Sequence, residues 1–243
     1  MKVRKERGSL KYGRVLLKLS GEALAGDKKF GIEPQKLKWV ADQIADAASL
    51  GVKMAVVIGG GNFFRGGREG GGIQDRVSVD YLGMLATVMN SVALQESLVQ
   101  HGLEVRVLSA IDVPQICEPF IRPRALMHLK KNRVVILAAG TGNPFFSTDT
   151  AAALRALELG CEVILKATKV KGVYDSDPEK NPGAKFCKEM SFTEALSKDL
   201  KIMDATALSL CRDHDLPVLV FNLFVRGCLR QALLGQKIGT LIQ

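Results

Sequence analysis

The sequence has few of the residue types that hold disulfide-rich or zinc-binding proteins together. Its five cysteines are scattered, odd in number and never form a C-x-x-C pair. That spacing argues against a disulfide framework and against a cysteine-based zinc site. Only three histidines occur, and none stands in a turn rich in other catalytic residue types. We therefore expect exposed or helix-end histidines and no protein-held metal centre.

Long apolar runs and the commonest catalytic motifs are also missing. The longest apolar runs, such as 134–139, have the length of a strand, whereas a membrane helix needs roughly 20 residues. No apolar signal core precedes the first predicted strand, so we expect a cytoplasmic protein that does not span a membrane. The chain contains no G-x-x-x-x-G-K-[ST], no G-x-G-x-x-G after a strand and no H-E-x-x-H. These absences exclude the two commonest nucleotide-binding folds and a common zinc protease site.

The composition fits one large domain with a basic arm. The chain has 243 residues, of which 47% are apolar, and a net charge of +9. Residues 1–14 hold six Lys or Arg and one Glu. We divide the chain into a basic N-terminal arm, 1–12, and a single domain, 13–243. The arm is either a solvated tail or a contact for nucleic acid. Because aromatic residues make up only 6%, nucleic acid is the less favoured partner.

The remainder of the chain alternates between apolar strands and helical patterns. Strands are predicted over 13–21, 52–62, 103–110, 132–140, 161–170 and 218–222, and helices over 34–51, 79–102, 147–160 and 203–217. This alternation predicts an α/β protein, a three-layer α/β/α sandwich with a mainly parallel central sheet. In such sheets ligands bind beyond the carboxyl ends of the strands. The informative residues should therefore follow the strands.

A lysine inside the first apolar strand is the first such signal. Lys18 stands two residues before the small-residue turn of Ser20 and Gly21. Because burying an unpaired ammonium group is costly, its charge needs a partner, and a bound phosphate would supply one. The alternative is a lysine that reaches into solvent at a sheet edge.

Glycine-rich turns follow two other strands. Gly59, Gly60 and Gly61 can present free N–H groups to an anion, and Arg65 follows at a distance that suits a phosphate clamp. A flexible turn with a solvated arginine is the alternative. The turn "GTGNPFFSTD" ends the strand over 132–140, with Phe145 and Phe146 as an apolar wall for a flat base or as packing beneath the turn. Asp149 is either a favourable charge at a helix start or a partner that positions Lys18.

Several motifs in matching order resemble one family. "KLSGEAL", "GGGNFFRG", "MLATVMN", "GTGNPFFSTD", "LKATKVKGVYDSDP" and "GTLIQ" are similar to those of the bacterial UMP kinases, which have the amino acid kinase fold. The resemblance runs from about residue 12 to residue 243. It implies transfer of a phosphoryl group from ATP to UMP with Mg²⁺, in pyrimidine nucleotide biosynthesis.

The resemblance also implies site residues. Lys18 and Asp149 would be catalytic. The ATP site would comprise Lys18, Leu19, Ser20, Gly21, Gly61, Arg65, Thr168, Tyr174 and Asp177. The UMP site would comprise Gly60, Asp80, Thr141, Gly142, Asn143, Pro144, Phe145, Phe146, Ser147 and Thr148. Asp80 is expected to bind the ribose hydroxyls, and no other feature of the sequence singles it out.

Assembly and regulation are further implications of the resemblance. Family members form homohexamers, and many are activated by GTP and inhibited by UTP. Arg106 and Arg133 are the candidate GTP contacts, and the turn over 26–31 matches a segment tied to that regulation. This chain departs from its relatives on the long helix, where Gln95 and Val99 replace basic residues. The strength of GTP binding is therefore left open.

Two other functions compete with this one. An amino acid or carbamate acceptor would suit "KLSG" and "GGGN", but it gives the paired phenylalanines no obvious role. A nucleic-acid binder that uses the basic arm would need aromatic and basic residues interleaved on a surface.

Overall fold

The computed structural model describes residues 10–28, 30–64, 74–176, 181, 183–198, 200 and 202–243. The predicted basic arm lies almost wholly outside these residues. The strands are β1 Arg14–Leu19, β2 Lys53–Ile58, β3 Val105–Ser109, β4 Glu118–Pro119, β5 Val134–Ala138, β6 Val163–Thr168, β7 Val173–Tyr174, β8 Phe186–Cys187, β9 Glu189–Met190, β10 Val218–Asn222 and β11 Thr240–Ile242. The helices are α1 Glu22–Ala25, α2 Pro34–Ala48, α3 Arg76–Gln100, α4 Arg122–Lys130, α5 Thr148–Leu159, α6 Phe192–Ser197, α7 Ala205–Asp213 and α8 Cys228–Leu233.

Nine of the strands form one sheet in the order β4-β3-β5-β2-β1-β6-β10-β11-β9. All of its neighbouring pairs in the described part of the chain are parallel, except that β11 runs antiparallel to β10. The short strands β7 and β8 pair separately as an antiparallel ribbon. The mainly parallel sheet is therefore confirmed.

Two apolar cores cover the two faces of this sheet. Successive strand residues alternate between them: Leu17 belongs to the core under α2, α3 and α8, and Leu16 to the core under α4, α5 and α7. Both residues are fully buried. Burial on both faces explains why the strands read as continuous apolar runs. The predicted three-layer α/β/α sandwich is confirmed.

The long helix α3 differs from its prediction in two ways. It begins at Arg76, because the Asp75 side chain caps it by accepting from the backbone N–H groups of Val77 and Ser78. Among the described residues it is the one helix long and apolar enough to cross a membrane by length and composition. The lengths of the apolar runs did not indicate this property, because glycine, serine and asparagine interrupt the runs within the helix. Ten of its residues are buried within the domain, as in a core helix.

The histidines occupy helix ends, as the sequence indicates. His101 follows α3, His128 lies in the last turn of α4, and His214 follows α7. His128 is buried, and its ring lies between Glu118 and Arg133.

The structure also contains four helices and five short strands that the sequence did not predict. They lie outside the alternating pattern, mostly after residue 170.

Candidate active site

Two lysines and one aspartate form a buried cluster at the centre of the sheet. Lys18 on β1 pairs in register with Lys166 on the neighbouring strand β6. The Lys18 Nζ lies 2.5 Å from Asp149 Oδ1, and the Lys166 Nζ lies 2.8 Å from Asp149 Oδ2. Lys18 and Lys166 are only 8% and 9% exposed. Because β1 is a central strand, the alternative of a lysine at a sheet edge is wrong.

Burial and the charges of this cluster shift the pKa values of Asp149 and Lys166. Burial opposes the ionisation of Asp149, yet the charges of Lys18 and Lys166 outweigh it and lower the pKa of the carboxyl group. Burial and the charge of Lys18 lower the pKa of Lys166 to about 8, although Asp149 acts in the opposite direction. Two ammonium groups facing one carboxylate leave a single positive charge in excess. A site of this kind attracts an anion.

The first turn of α5 positions Asp149. Ser147 caps this helix, and its Oγ accepts from the backbone N–H groups of Asp149 and Thr150. The Ser147 hydroxyl in turn donates to Asp204, the residue that caps α7. Asp204 also accepts from the Thr150 hydroxyl at 2.9 Å. Asp204 therefore fixes the first turn of α5, on which Asp149 depends.

The glycine turn after β2 lies tightly against α3. A Cβ atom at Gly60 would approach the Gly83 carbonyl oxygen and the Ala86 Cβ to 2.7 Å, so no side chain fits there. A Cβ atom at Gly21 would approach the Gly59 carbonyl oxygen to 2.5 Å, which brings the turns after β1 and β2 together. Close packing of backbone therefore requires both of these glycines.

The loop over 139–147, which we call the acceptor loop, lies over the first turns of α3. The Phe145 backbone N–H donates to Asp80 Oδ2 at 2.7 Å, and Arg76 Nε lies 2.8 Å from Asp80 Oδ1. The Phe145 and Phe146 rings are 67% and 50% exposed. The alternative that these rings pack beneath the turn is therefore wrong for both. The Arg76 guanidinium lies 5.8 Å from the centre of the Phe145 ring.

Two cavities open beyond the carboxyl ends of the strands, and the two buried lysines line one of them. The first, of about 150 Å³, is lined by Gly60, Gly61, Phe64, Val79, Asp80, Gly83, Met84, Thr87, Ala139, Gly140, Thr141, Phe146, Ser147 and Thr148. The second, of about 250 Å³, is lined by Lys18, Ser20, Glu22, Ala23, Lys166, Ala167, Thr168, Lys169, Leu223 and Phe224. Asp149 follows Thr148 of the first cavity and contacts both lysines of the second.

The predicted site residues distribute unevenly over these cavities. The first cavity is lined by six of the residues predicted to bind UMP: Gly60, Asp80, Thr141, Phe146, Ser147 and Thr148. Gly61, which was predicted to bind ATP, lines the same cavity. Lys18, Ser20 and Thr168 line the second. Gly142, Asn143, Pro144 and Phe145 form the outer part of the acceptor loop. Leu19 is fully buried. Gly21 supports the turn after β2.

Other predicted residues lie apart from the cavities or cannot be placed. Tyr174 packs edge-on against Phe186, with ring centres 5.6 Å apart, in the β7–β8 ribbon. Arg106 and Arg133 lie at the amino ends of β3 and β5, opposite the cavities. Arg133 Nε donates to Glu104 at 2.8 Å, and Arg106 Nε lies 3.7 Å from Glu118. The predicted Arg65 and Asp177 lie outside the described residues.

Sequence reasoning missed three residues of the site. Lys166 stands in an apolar strand, as Lys18 does, so the cost of burying its charge was a signal that applied equally to it. Asp204 gave no local signal, because only the tertiary fold brings the start of α7 to the start of α5. Thr87 lies in an apolar helix and gave none either.

A mainly parallel sheet with two cavities beyond its strands and a buried Lys–Asp–Lys cluster beside them is suited to a phosphotransferase. A profile of the amino acid kinase family matches residues 13–222, and the chain belongs to that family. It is accordingly a kinase.

Within that family, three similar solved structures are UMP or uridylate kinases. The UMP kinase from Bacillus anthracis has 39% identity and a TM-score of 0.93, with 96% of each chain covered. The UMP kinase from Ureaplasma parvum has 35% identity and a TM-score of 0.90, with 96% of this chain and 100% of that chain covered. The uridylate kinase from Archaeoglobus fulgidus has 26% identity and a TM-score of 0.72, with 94% and 99% covered.

Proposed function

We propose that this protein phosphorylates UMP with ATP, giving UDP and ADP, as a step of pyrimidine nucleotide biosynthesis in the cytoplasm. The observation that carries the proposal is the cluster of Lys18, Lys166 and Asp149, whose lysines line the second cavity and whose aspartate follows Thr148 of the first. The likeness to two UMP kinases over 96% of the chain supports UMP as the acceptor. ATP would occupy the second cavity, and UMP the first.

The buried lysines supply what phosphoryl transfer needs. In this reaction the bond between the γ-phosphorus and the ADP oxygen breaks, and a bond to a UMP phosphate oxygen forms. Charge spreads over the transferred group, so positioning and charge neutralisation provide most of the catalysis. Lys18 and Lys166 face the second cavity and provide that charge. An ionised UMP phosphate needs no general base, which agrees with an Asp149 that is engaged by both lysines.

Mg²⁺ fits this site as a companion of the nucleotide. The described residues contain no group of three or more His, Cys, Asp or Glu side chains that could hold a metal ion. Mg²⁺ commonly keeps several waters and binds through substrate phosphates with one or two carboxylates. ATP phosphate oxygens would therefore be its main ligands here. Bound in this way, the ion would neutralise charge on the transferred phosphoryl group.

The decisive experiment is an acceptor panel. ADP formation from MgATP would be measured with UMP, CMP, dTMP, AMP, acetylglutamate, aspartate and carbamate. We expect turnover with UMP and at most weak turnover with the others. Turnover with only an amino acid or carbamate would be consistent with the amino acid kinase family and would refute UMP as the acceptor substrate. If none reacts, the panel is repeated with GTP, and continued absence of turnover would refute the proposal.

Replacing the expected ribose ligand provides a more specific prediction. Asp80→Asn should raise the KM for UMP about tenfold and leave the KM for ATP nearly unchanged, because a charged acceptor of hydroxyl hydrogen bonds is lost. Asp46→Asn is the matched control, since Asp46 forms only an exposed ion pair with Arg230. An unchanged KM for UMP in steady-state kinetics would contradict the ribose assignment.

The outer face of α3 supports a homohexamer as the functional assembly. This face exposes six apolar side chains, Tyr81, Leu82, Leu85, Met89, Val92 and Val99, each between 36% and 48% accessible. Apolar patches of this kind mark protein–protein contacts. A second copy of this chain would cover the patch, and sedimentation equilibrium tests it: a monomer at micromolar concentration would refute the assembly.

Regulation by GTP and UTP is the remaining part of the proposal. Arg106 and Arg133 lie close together at the far side of the sheet, each near a carboxylate. A nucleoside triphosphate would have to compete with Glu104 and Glu118 for these guanidinium groups. If GTP activates and UTP inhibits through this site, Arg133→Gln should abolish the GTP response. Persistence of that response in initial-rate assays would contradict the assignment.

A further inference from the structure

Two residues of the acceptor loop adopt a backbone conformation that their side chains disfavour. Among the described residues, four that are not glycine have positive φ: Asn132, Ala139, Phe145 and Asp215. Asn and Asp tolerate the left-handed region, whereas alanine and phenylalanine do not. Ala139 has a φ of 62° and Phe145 a φ of 70°. They lie near the two ends of the loop, so its shape is strained at both ends.

Side chains of α3 hold both strained residues. The Ala139 backbone N–H donates to Thr87 Oγ1 at 2.7 Å, and the Phe145 backbone N–H donates to Asp80 Oδ2 at 2.7 Å. The Thr87 hydroxyl donates its own hydrogen to the Met84 carbonyl oxygen at 2.7 Å, so an oxygen lone pair is free to accept from Ala139. Thr87 is only 2% exposed, and water therefore has little access to this contact.

The helix that supplies these side chains is itself fixed to the glycine turn after β2. Asn90, one turn beyond Thr87, exchanges reciprocal amide hydrogen bonds of 2.9 and 2.7 Å with Asn62. The Asn90 amide also donates to the Gly59 carbonyl oxygen at 2.7 Å. Asn90 is completely buried. The inner face of α3 thus joins the acceptor loop to the glycine turn that lines the first cavity.

We propose that Thr87 is a positioning residue that holds the acceptor loop in its substrate-binding shape through the Ala139 amide. The proposal rests on the proposed function only in naming UMP as the ligand of that loop. When UMP engages Asp80, its ribose competes with the Phe145 amide for the same carboxylate. The Thr87 contact does not involve the expected ribose ligand, so it keeps the loop anchored as the second contact is exchanged.

The test compares three variants, each of which changes one buried hydroxyl-bearing side chain of α3. Thr87→Val keeps the shape and removes the acceptor, and Thr87→Ser restores it. Ser91→Ala is the matched control, because Ser91 is equally buried on α3 but bonds only to the Thr87 carbonyl oxygen within the helix. Hydrogen exchange of a peptide over 134–147, read by mass spectrometry without ligand, reports the loop. Steady-state kinetics reports the KM for UMP and the KM for ATP.

Thr87→Val should accelerate exchange in that peptide and raise the KM for UMP about tenfold, with little change in the KM for ATP. Thr87→Ser and Ser91→Ala should resemble the wild type in both measurements. Unchanged exchange in Thr87→Val would overturn the proposal, whether or not the KM changes, because Thr87 would then act by direct contact or not at all. If the wild type does not phosphorylate UMP, the proposed function fails, but the exchange measurement still tests the positioning role.

Discussion

Lys18→Met is expected to lower kcat about a thousandfold and to leave the protein folded, because in the proposed reaction Lys18 would provide charge to the transferred phosphoryl group. The substitution removes one of two ammonium groups and keeps a balanced pair of Lys166 and Asp149, 2.8 Å apart. It also removes the repulsion that Lys18 exerts on Lys166. The loss should appear mainly in kcat rather than in the KM for ATP, because the interaction is strongest in the transition state.

The control for Lys18 is a lysine of the same charge in an exposed pair. Lys38→Met breaks a surface contact with Asp42 in which both side chains are well exposed. Such pairs contribute little, so the activity and melting temperature of this variant should stay close to those of the wild type. Turnover by Lys18→Met within a few-fold of the wild type would refute the role of Lys18.

Asp149→Asn is expected to destabilise the fold by about 3–5 kcal/mol, because it leaves two buried ammonium groups without a counter-charge. The Asp149 side chain is only 16% exposed and contacts both lysines. Urea unfolding at pH 7 measures the loss. The double variant Asp149→Asn with Lys166→Met should recover much of the stability and none of the activity. Full stability of Asp149→Asn would show that the cluster is not charged as described.

The same variant should also change the pH dependence of stability. In the wild type the pKa of Lys166 is lowered to about 8, and Asp149 is the charge that raises it. Without Asp149 that pKa falls further below the value of about 10.5 for an unfolded lysine. Between these two values the unfolded chain binds more protons than the folded one, so stability rises with pH. The stability of Asp149→Asn should therefore rise from neutral pH towards pH 10, as urea titrations over that range would measure.

The sheet was predictable because strands that are buried on both faces have nearly continuous apolar sequences. Strands such as β2 and β5 are largely apolar runs with a glycine within two residues of their ends, and helices such as α2 and α5 begin with proline or a capping side chain. The short elements between residues 170 and 200 were not predictable by the same means. Strands β7, β8 and β9 are two residues long and gain their partners from distant segments. Such short elements carry no period of their own.

The site was predictable where a residue conflicts with its local surroundings. A lysine in an apolar strand indicated Lys18, and the same conflict at Lys166 was overlooked. Asp204 and Thr87 agree with their local sequence as a helix cap and a helix residue, and only the packing of α7 and α3 gives them a place in the site. Gly60 was predicted to approach an anion, whereas its lack of a side chain is required by the contact with α3.

The strand order has a consequence for synthesis on the ribosome. Strand β1 is made first, yet it lies between β2 and β6, and β6 ends at Thr168. At roughly 5–20 residues per second, one flank of β1 stays uncovered for on the order of ten seconds. The Lys18 side chain can contact both Asp149 and Lys166 only after β6 has been synthesised. In a nascent chain β1 therefore gains its second apolar neighbour and the charged partners of Lys18 in the same late event, and truncation before β6 should leave a product prone to aggregation and capture by chaperones.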